Sequence, residues 1–437
     1  MRALLVALLA SACGGRAVGT TDAAPAPDAA PGDAGPFAPG PEPTSPLRPV
    51  PGEVTVYQLD LPPGAALKSG EAELIVGPDG TLVLIDTGNS SHDDDIRALI
   101  YDLDTSALTP ERGFPARTPR QVDWVVLTHF HGDHIGGFSD LLLAGAPLEG
   151  VRGVVHRGFV DVGAALNASD YGDLCTALRG GLAALDLPLC VADTPAPCDA
   201  ASFVGAYPAL ACPGLLAGDL ADPGDDGDGV PAYLDLGGGA RLTFLAADAR
   251  LGDGRAASPF GVSDDNNEEN ARSLVFLLTY GCFRMHFGGD LTGSGETGVP
   301  DVETFLVGSL GADVYGARGV DVVHVHHHAR DTSSNAAFVA LTAPLDGRAR
   351  NLVAGISPAY LGSPYAAVLA RWLDGDRLAG GRFWVPEVAA GGASADALVV
   401  AGGPVILQTL QAGLGYRVQA AGATLSSAAY PSVACSP

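Results

Sequence analysis

The sequence predicts an α/β domain, and three observations carry that reading. Short runs rich in β-branched and aromatic residues alternate with stretches bearing helix start signals, from residue 54 to residue 419. Residues 122–127 form a largely apolar run, as in a strand buried on both faces. Hydrophobic residues make up 47% and charged residues 17% of the 437 positions, which affords a large core and excludes global disorder.

The elements follow in chain order. Residues 1–12 read M-R-A-L-L-V-A-L-L-A-S-A, one Arg before a short apolar run, which is a signal-peptide pattern. Ala10-Ser11-Ala12 fits ordinary small-x-small cleavage. L-L-A-S-A-C also resembles a bacterial lipobox, with Cys13 acylated and Ala10 where Leu is usual. The expectation is an exported chain, lipid-anchored to a bacterial cell envelope or else secreted. Residues 13–51 are rich in Ala, Pro, Asp and Gly, lack periodicity and read as a flexible linker, leaving one domain over 52–437.

Strands are predicted at 54–59, 72–76 and 81–85, with Pro78-Asp79-Gly80 as a hairpin turn. Ser91 is placed to cap a helix over 92–101, whose positive end suits Asp93, Asp94 and Asp95. Further strands are predicted at 122–127, 241–246, 273–279, 283–288 and 320–325. Ser334 is placed to cap a helix over 335–342. Ser363-Pro364 opens a helix to about 373 with Pro at its first position. The last strands are set at 404–410 and 415–419. Connections are short except at 160–240, which reads as an insertion. No run beyond the N-terminus holds about 18 uninterrupted apolar residues, as a transmembrane helix needs.

Net charge is −26, which excludes a general nucleic-acid coat protein but not an enzyme that meets phosphate at a metal centre. With Cys13 lipidated, Cys175, Cys190, Cys198, Cys212, Cys282 and Cys435 remain, an even set that favours disulfides after export, with connectivity open. Four of them crowd into 175–212 and predict two local bridges stapling the insertion. The run Asp222, Asp225, Asp226, Asp228 offers oxygens at a spacing that suits Ca2+, although an exposed acidic loop explains it as well.

The densest chemistry is T-H-F-H-G-D-H-I-G-G at 128–137. His129, His131, Asp133 and His134 follow directly on the buried strand. Imidazole suits zinc and similar divalent ions, and carboxylate adds charge. Four donors in six positions exceed the need of one tetrahedral ion with an open place; two ions about 3.5–4 Å apart would use them all.

That H-x-H-x-D-H pattern resembles the metallo-β-lactamase superfamily at every specified position. In the family's order follow Leu84-Ile85-Asp86-Thr87-Gly88, Phe287-Gly288-Gly289-Asp290 and Val325-His326-His327-His328. A nearer resemblance is to the ComEC-type competence domain and to secreted phosphorylcholine esterases. It rests on Gly70-Glu71-Ala72, on Asn270-Ala271-Arg272-Ser273-Leu274-Val275 and on 324–334, H-V-H-H-H-A-R-D-T-S-S. Three departures stand out: Glu71 for Asp, His324 for Lys, and Ala329-Arg330 for Gly-Ser.

The resemblance implies a four-layer αββα sandwich and a dinuclear centre. His129 and His131 bind the first metal, Asp133 and His134 the second, and Asp290 bridges. His327 closes the second site, with His328 orienting substrate or protonating a leaving group; the reverse assignment of these two stays open. His156 is the candidate for the first metal's remaining ligand. Asp86 and Asn270 support the site, and Arg330, Ser333 and Ser334 are placed to bind an anionic group. His92 and His286 are expected to play no part, while His324 and His326 remain supporting candidates.

Zn2+ is the default metal, with Mn2+ or Fe2+ open. The activity implied is hydrolysis by a metal-bound hydroxide, which Asp133 orients, on phosphoester or phosphodiester bonds of a small molecule or polymer. Lactone, thioester or β-lactam hydrolysis is the alternative, and a non-catalytic surface binding protein the third reading. The only membrane contact expected is the lipid anchor; the oligomeric state is left open.

Overall fold

Among the described residues the alternation resolves into two sheets of nine strands each. The computed structural model describes residues 37–61, 70–143, 148, 150–157, 189–191, 233–247, 249–251, 257, 266–293, 299–422 and 425–435. The expected signal peptide, Cys13, the linker up to residue 36, Cys175, Cys198, Cys212 and the Asp222–Asp228 run lie outside these residues.

The first half supplies β1 (Thr55–Gln58), β2 (Glu73–Val76), β3 (Leu82–Ile85), α1 (Asp93–Ser106), β4 (Gln121–Leu127), α2 (Gly132–Ile135), α3 (Phe138–Leu143), β5 (Gly150–His156) and β6 (Leu189–Val191). Then come β7 (Tyr233–Asp235), β8 (Arg241–Ala247), β9 (Arg250–Leu251), α4 (Asn266–Ala271), β10 (Val275–Tyr280), β11 (Phe283–Phe287), α5 (Val302–Tyr315) and β12 (Val322–His324). The chain continues with α6 (Ala336–Thr342), β13 (Asn351–Val353), α7 (Ala366–Leu373), β14 (Phe383–Val385), β15 (Leu398–Val400), β16 (Val405–Leu410), β17 (Gly415–Ala421) and β18 (Leu425–Pro431).

One sheet runs β18-β17-β16-β1-β2-β3-β4-β5-β6; the other runs β15-β14-β13-β12-β11-β10-β8-β7, with β9 on β8. Strands β3 to β6 are parallel, as are β11 to β15. The side-chain period of two sorts each strand between layers. Val83, Ile85 and Val126 face the second sheet, meeting Phe244, Phe276, Met285 and Val322. Leu82, Leu84, Val125 and Leu127 face outward onto Ile96, Ile100 and Leu103 of α1 and Phe138 and Leu141 of α3. On the far side Val275, Leu277, Val323 and Leu352 pack with Leu306, Phe338, Val368 and Trp372. The four layers are helix, sheet, sheet and helix, the sandwich that the motif order implied.

Several local expectations are corrected. Asn335, not Ser334, caps α6, its side chain accepting from Phe338 N. Ser91 does not cap α1, whose N-cap is His92 and has no side-chain cap bond. Helix α7 begins at Ala366, so Pro364 lies before it rather than in its first turn. The linker does not extend to 51: Gln411, Arg417, Gln419 and Gln408 donate to carbonyls of Ala38, Gly40, Ser45 and Arg48, fastening 37–51 to the C-terminal strands. The stretch at 160–240 contributes β6 to one sheet and β7 to the other. Cys282 and Cys435 form a disulfide that ties the β10–β11 turn to the C-terminus. No helix among the described residues is long and apolar enough to cross a membrane.

Candidate metal centre

The parallel strands of both sheets deliver their C-terminal ends to one place, where open α/β sheets typically bind ligands. Asp86 follows β3, Thr128-His129 follow β4, Gly288-Gly289-Asp290 follow β11, and His326-His327-His328 lie just beyond β12. Gly289 (φ +51) leaves the strand sharply, and a Cβ there would sit 2.7 Å from the Thr128 side chain. That turn carries Asp290 off β11 and between the two sheets.

Asp290 belongs to two clusters of metal-type donors. One is His129, His131 and Asp290; the other is Glu71, His134, Asp290 and His328. His129 Nε2 faces His131 Nδ1 at 3.0 Å and lies 3.8 Å from Asp290 Oδ2. Asp290 Oδ1 is 3.5 Å from His134 Nε2, and its Oδ2 is 3.5 Å from His328 Nε2. Asp133 stands at the edge of the second cluster, its Oδ2 3.7 Å from His328 Nε2. The Tyr360 hydroxyl donates to that same oxygen at 2.9 Å.

The outer nitrogens of the two histidines in the second cluster are held by different acceptors, a carboxylate for His134 and a backbone carbonyl for His328. Asp86 Oδ2 is 2.8 Å from His134 Nδ1, while its two oxygens also accept from Thr128 N and Oγ1. His328 Nδ1 donates to the Gly355 carbonyl at 2.9 Å, with Glu71 Oε2 beside it at 3.0 Å. A carboxylate on one imidazole nitrogen fixes the tautomer and leaves the other as a lone-pair donor. The His328 ring is further clamped by stacking on Tyr360, 3.7 Å between centroids at 14°.

The residues fit divalent cations. Nε2 of His134, Nε2 of His328 and Oδ1 of Asp290 are buried with no hydrogen-bond partner among the described residues. Such a group costs about 1–3 kcal/mol unless something satisfies it. Electrostatics point the same way. Burial opposes charge on His134 and His328, yet the surrounding carboxylates, led by Asp290, push both well above the usual imidazole range. Burial also opposes charge on Asp290, but His328, His134 and His327 outweigh it and hold its carboxyl well below the usual range. The pocket is built for positive charge amid carboxylates.

The backbone there is strained. Asp86, His327, His328 and Ala329 all have left-handed φ, at 52°, 50°, 51° and 58°. Non-glycine residues hold such angles at a cost of about 1–3 kcal/mol each, which is typical of functional loops. Ala329 stands where the resembling motif has Gly, which explains that preference.

Two sequence assignments change. His328, not His327, joins His134 and Asp290. Both ring nitrogens of His327 are engaged, Nε2 with Asn270 Nδ2 at 3.1 Å and Nδ1 with Thr332 Oγ1 at 2.5 Å. Its Nε2 still stands 3.8 Å from Asp290 Oδ2, beside the centre. His156 is in neither donor cluster: it pairs with Leu127 in register, two residues short of His129, and its ring lies 5.9 Å from that of Phe130. Ser333 turns its hydroxyl to the carbonyls of His326 and Arg330, and the Ser334 hydroxyl is buried. Arg330 is half-buried and its charge, after burial and His328, depresses His327, whose pKa falls to about 4.

Other residues carry weight that the motifs did not signal. Glu269 Oε1 accepts from Phe130 N at 2.8 Å while Arg157 pairs with the same carboxylate, pinning the loop between His129 and His131. His324 Nε2 reaches Glu71 Oε1 at 2.7 Å and Glu73 Oε1 at 3.0 Å. The two departures from the resembling motif, Glu71 and His324, are therefore partners. His286 and His326 form a buried relay from Tyr315 OH to Glu303, away from the donor clusters, and His92 Nδ1 accepts from Asn89 N.

Residues 74–185 match the family model described as Lactamase_B, Metallo-beta-lactamase superfamily. No curated protein matches the chain. Among solved structures the chain is similar to the Rm3 metallo-beta-lactamase, at 14% identity over 76% of this chain and 87% of that one, with a TM-score of 0.28. It is similar to the MIM-2 metallo-beta-lactamase at 18% identity over 64% and 76%, TM-score 0.28. A Cronobacter sakazakii metallo-beta-lactamase, the HARLDQ motif mutant S60, is 16% identical over 58% and 70%, TM-score 0.26. The match places a metallo-β-lactamase superfamily domain over residues 74–185, and the activity class that goes with that family is metal-dependent hydrolysis.

Proposed function

We propose that the protein hydrolyses phosphoester or phosphodiester bonds at a dinuclear zinc centre. One metal is held by His129, His131 and Asp290, the other by His134, His328 and Asp290, with Asp133 at its edge. Histidine-rich ligation favours zinc over manganese or iron. Two such ions supply Lewis acidity and a nucleophile at neutral pH.

The observation that carries the phosphoester reading is Arg330. Its side chain has no acid partner among the described residues, and its charge reaches His327 beside Asp290. A guanidinium next to a cation-binding cluster complements a tetrahedral anion. Asn270 Nδ2 donates to His327 Nε2 and holds that ring beside Asp290. Tyr360 keeps Asp133 Oδ2 occupied by a hydroxyl proton, leaving Oδ1 as the freer acceptor to orient water.

Turnover of bis-p-nitrophenyl phosphate, p-nitrophenylphosphorylcholine, nitrocefin and a γ-lactone by the zinc-loaded protein tests the proposal. Phosphoester turnover that drops tenfold or more in Arg330→Ala is the expected result. Turnover confined to nitrocefin or the lactone assigns the site to carbonyl substrates. Full metal loading without turnover of any substrate in the panel points to a binding protein on the same fold.

A further inference from the structure

We propose that the protein carries a second ligand site, on the other face of β1 from the metal donors, that takes a small organic ammonium ion with a short apolar body. The site is a cavity of about 250 Å³ between α1, β1, β16 and the segment at 46–48. Leu47, Leu59, Leu99 and Ile406 supply its apolar wall. Alternation along β1 separates it from the metal centre. Gln58 faces the second sheet and bonds His324 Nε2 at 3.0 Å, whereas Tyr57 faces the helix layer and lines the cavity.

Two independent features define the ligand. The first is Tyr57. It is 3% exposed, and its hydroxyl has no hydrogen-bond partner among the described residues. A buried hydroxyl left this way costs free energy that a polar ligand atom in the cavity would recover. The second is charge. Arg48 and Asp102 at the rim neutralise each other as an ion pair. Asp60 and Asp95 also line the cavity, and neither has a cationic partner among the described residues. Burial and the neighbouring Asp95 hold the Asp60 carboxyl above its usual range, and Glu387 feels Asp60 in turn. Like charges held together over an apolar pocket are relieved by a cation. An ammonium group would sit between Asp60 and Asp95 near the Tyr57 oxygen, with its hydrocarbon against the leucines. An anionic ligand would meet uncompensated carboxylates, and a neutral one would leave them repelling.

The test is isothermal titration of the zinc-loaded full chain at pH 7 with n-hexylammonium, n-hexanol and hexanoate. Hexylammonium is protonated there and is no metal ligand. The expected result is one equivalent bound, about tenfold or more tighter than hexanol, with no heat from hexanoate. The Asp60→Asn/Asp95→Asn double variant changes only side chains near the surface, so the fold is retained, and circular dichroism checks this. It should lower affinity for hexylammonium about tenfold, and Tyr57→Phe should lower it severalfold, both without loss of bound zinc. Absence of binding, equal affinity for hexanol, or an unchanged double variant overturns the proposal.

Discussion

Glu71 Oε2 lies 3.0 Å from Nδ1 of His328, while its Oε1 lies 2.7 Å from Nε2 of His324. One buried carboxylate thus links a candidate metal ligand to a histidine that points elsewhere. The Gly355 carbonyl pairs with Nδ1 of His328 and the Glu71 charge lies beside it, which together turn Nε2 toward Asp290, and His324 holds Glu71. Glu71→Gln keeps the shape but removes the charge. Zinc affinity, read by chelator competition, should fall about 10–100-fold, as for loss of a carboxylate behind a metal histidine. Unchanged affinity would show that Glu71 has no hold on the centre.

His327 and His328 give a paired test. His328→Ala removes a donor whose Nε2 has no partner among the described residues, so one zinc equivalent should be lost. His327→Ala removes a ring already bonded to Asn270 and Thr332. It should keep both equivalents and lower kcat/KM by about tenfold, the scale of one lost contact at roughly 1.4 kcal/mol. Elemental analysis of both variants decides the matter, and metal loss in His327→Ala alone restores the order expected from the motif.

The metal motif was the most legible part of the chain. H-x-H-x-D-H sits in six consecutive positions on one strand end, so local pattern and tertiary site coincide. The motif put His327 ahead of His328 as the ligand, and the structure reverses them through a left-handed run of backbone that no side-chain pattern encodes. Strands β13, β14 and β15 have three residues each, too few to display alternation. Helix α5 was hidden by Gly308 and Gly311, and it bends at Gly311 where φ is 47°. Tyr360 lies in a loop 227 residues from Asp133, so only the folded chain brings the pair together. Glu71 carried a signal, as a departure from a motif, but its partner His324 became evident only in space.

His324 should make stability fall in alkali. Burial works against its charge, but Glu71 and Glu73 outweigh burial and raise its pKa to about 10, above the ordinary 6.5. A raised folded-state pKa contributes stability that is complete below about 6.5 and lost as pH rises through about 10. Denaturant midpoints measured across that window should therefore decline. In His324→Gln, at equal zinc loading, the decline should flatten. Parallel curves for the two proteins would exclude the buried His324 charge as the cause.

The Cys282–Cys435 bridge spans 153 residues and anchors the end of the chain to the β10–β11 turn. Replacing both with Ser should lower unfolding free energy by about 2–4 kcal/mol. Cys282 precedes the start of β11 and Asp290 follows its other end, so zinc content should not change. Loss of zinc at 25 °C in the folded double variant would tie the bridge to the metal centre.

The strongest test of a two-metal centre is Asp290 against His286, four residues apart. Asp290 sits between His129 on one side and His134 and His328 on the other, at 3.5–3.8 Å from each. A carboxylate there would hold two cations and offset their repulsion. Asp290→Asn preserves volume but removes that charge. It should lose at least one zinc equivalent and lower turnover by two orders of magnitude or more, about 3 kcal/mol at roughly 1.4 kcal/mol per tenfold. His286 lies within β11, where alternation alone would put its side chain on the same face as residue 290. The turn at Gly288-Gly289 breaks that alternation, and His286 instead packs outward between Tyr315 and His326. His286→Gln should therefore keep both zinc equivalents and lose stability only, by about 1–3 kcal/mol for a disturbed buried hydrogen bond. Equal metal loss in the two variants would falsify the bridging role, because the geometry gives His286 no path to the ions except through the fold.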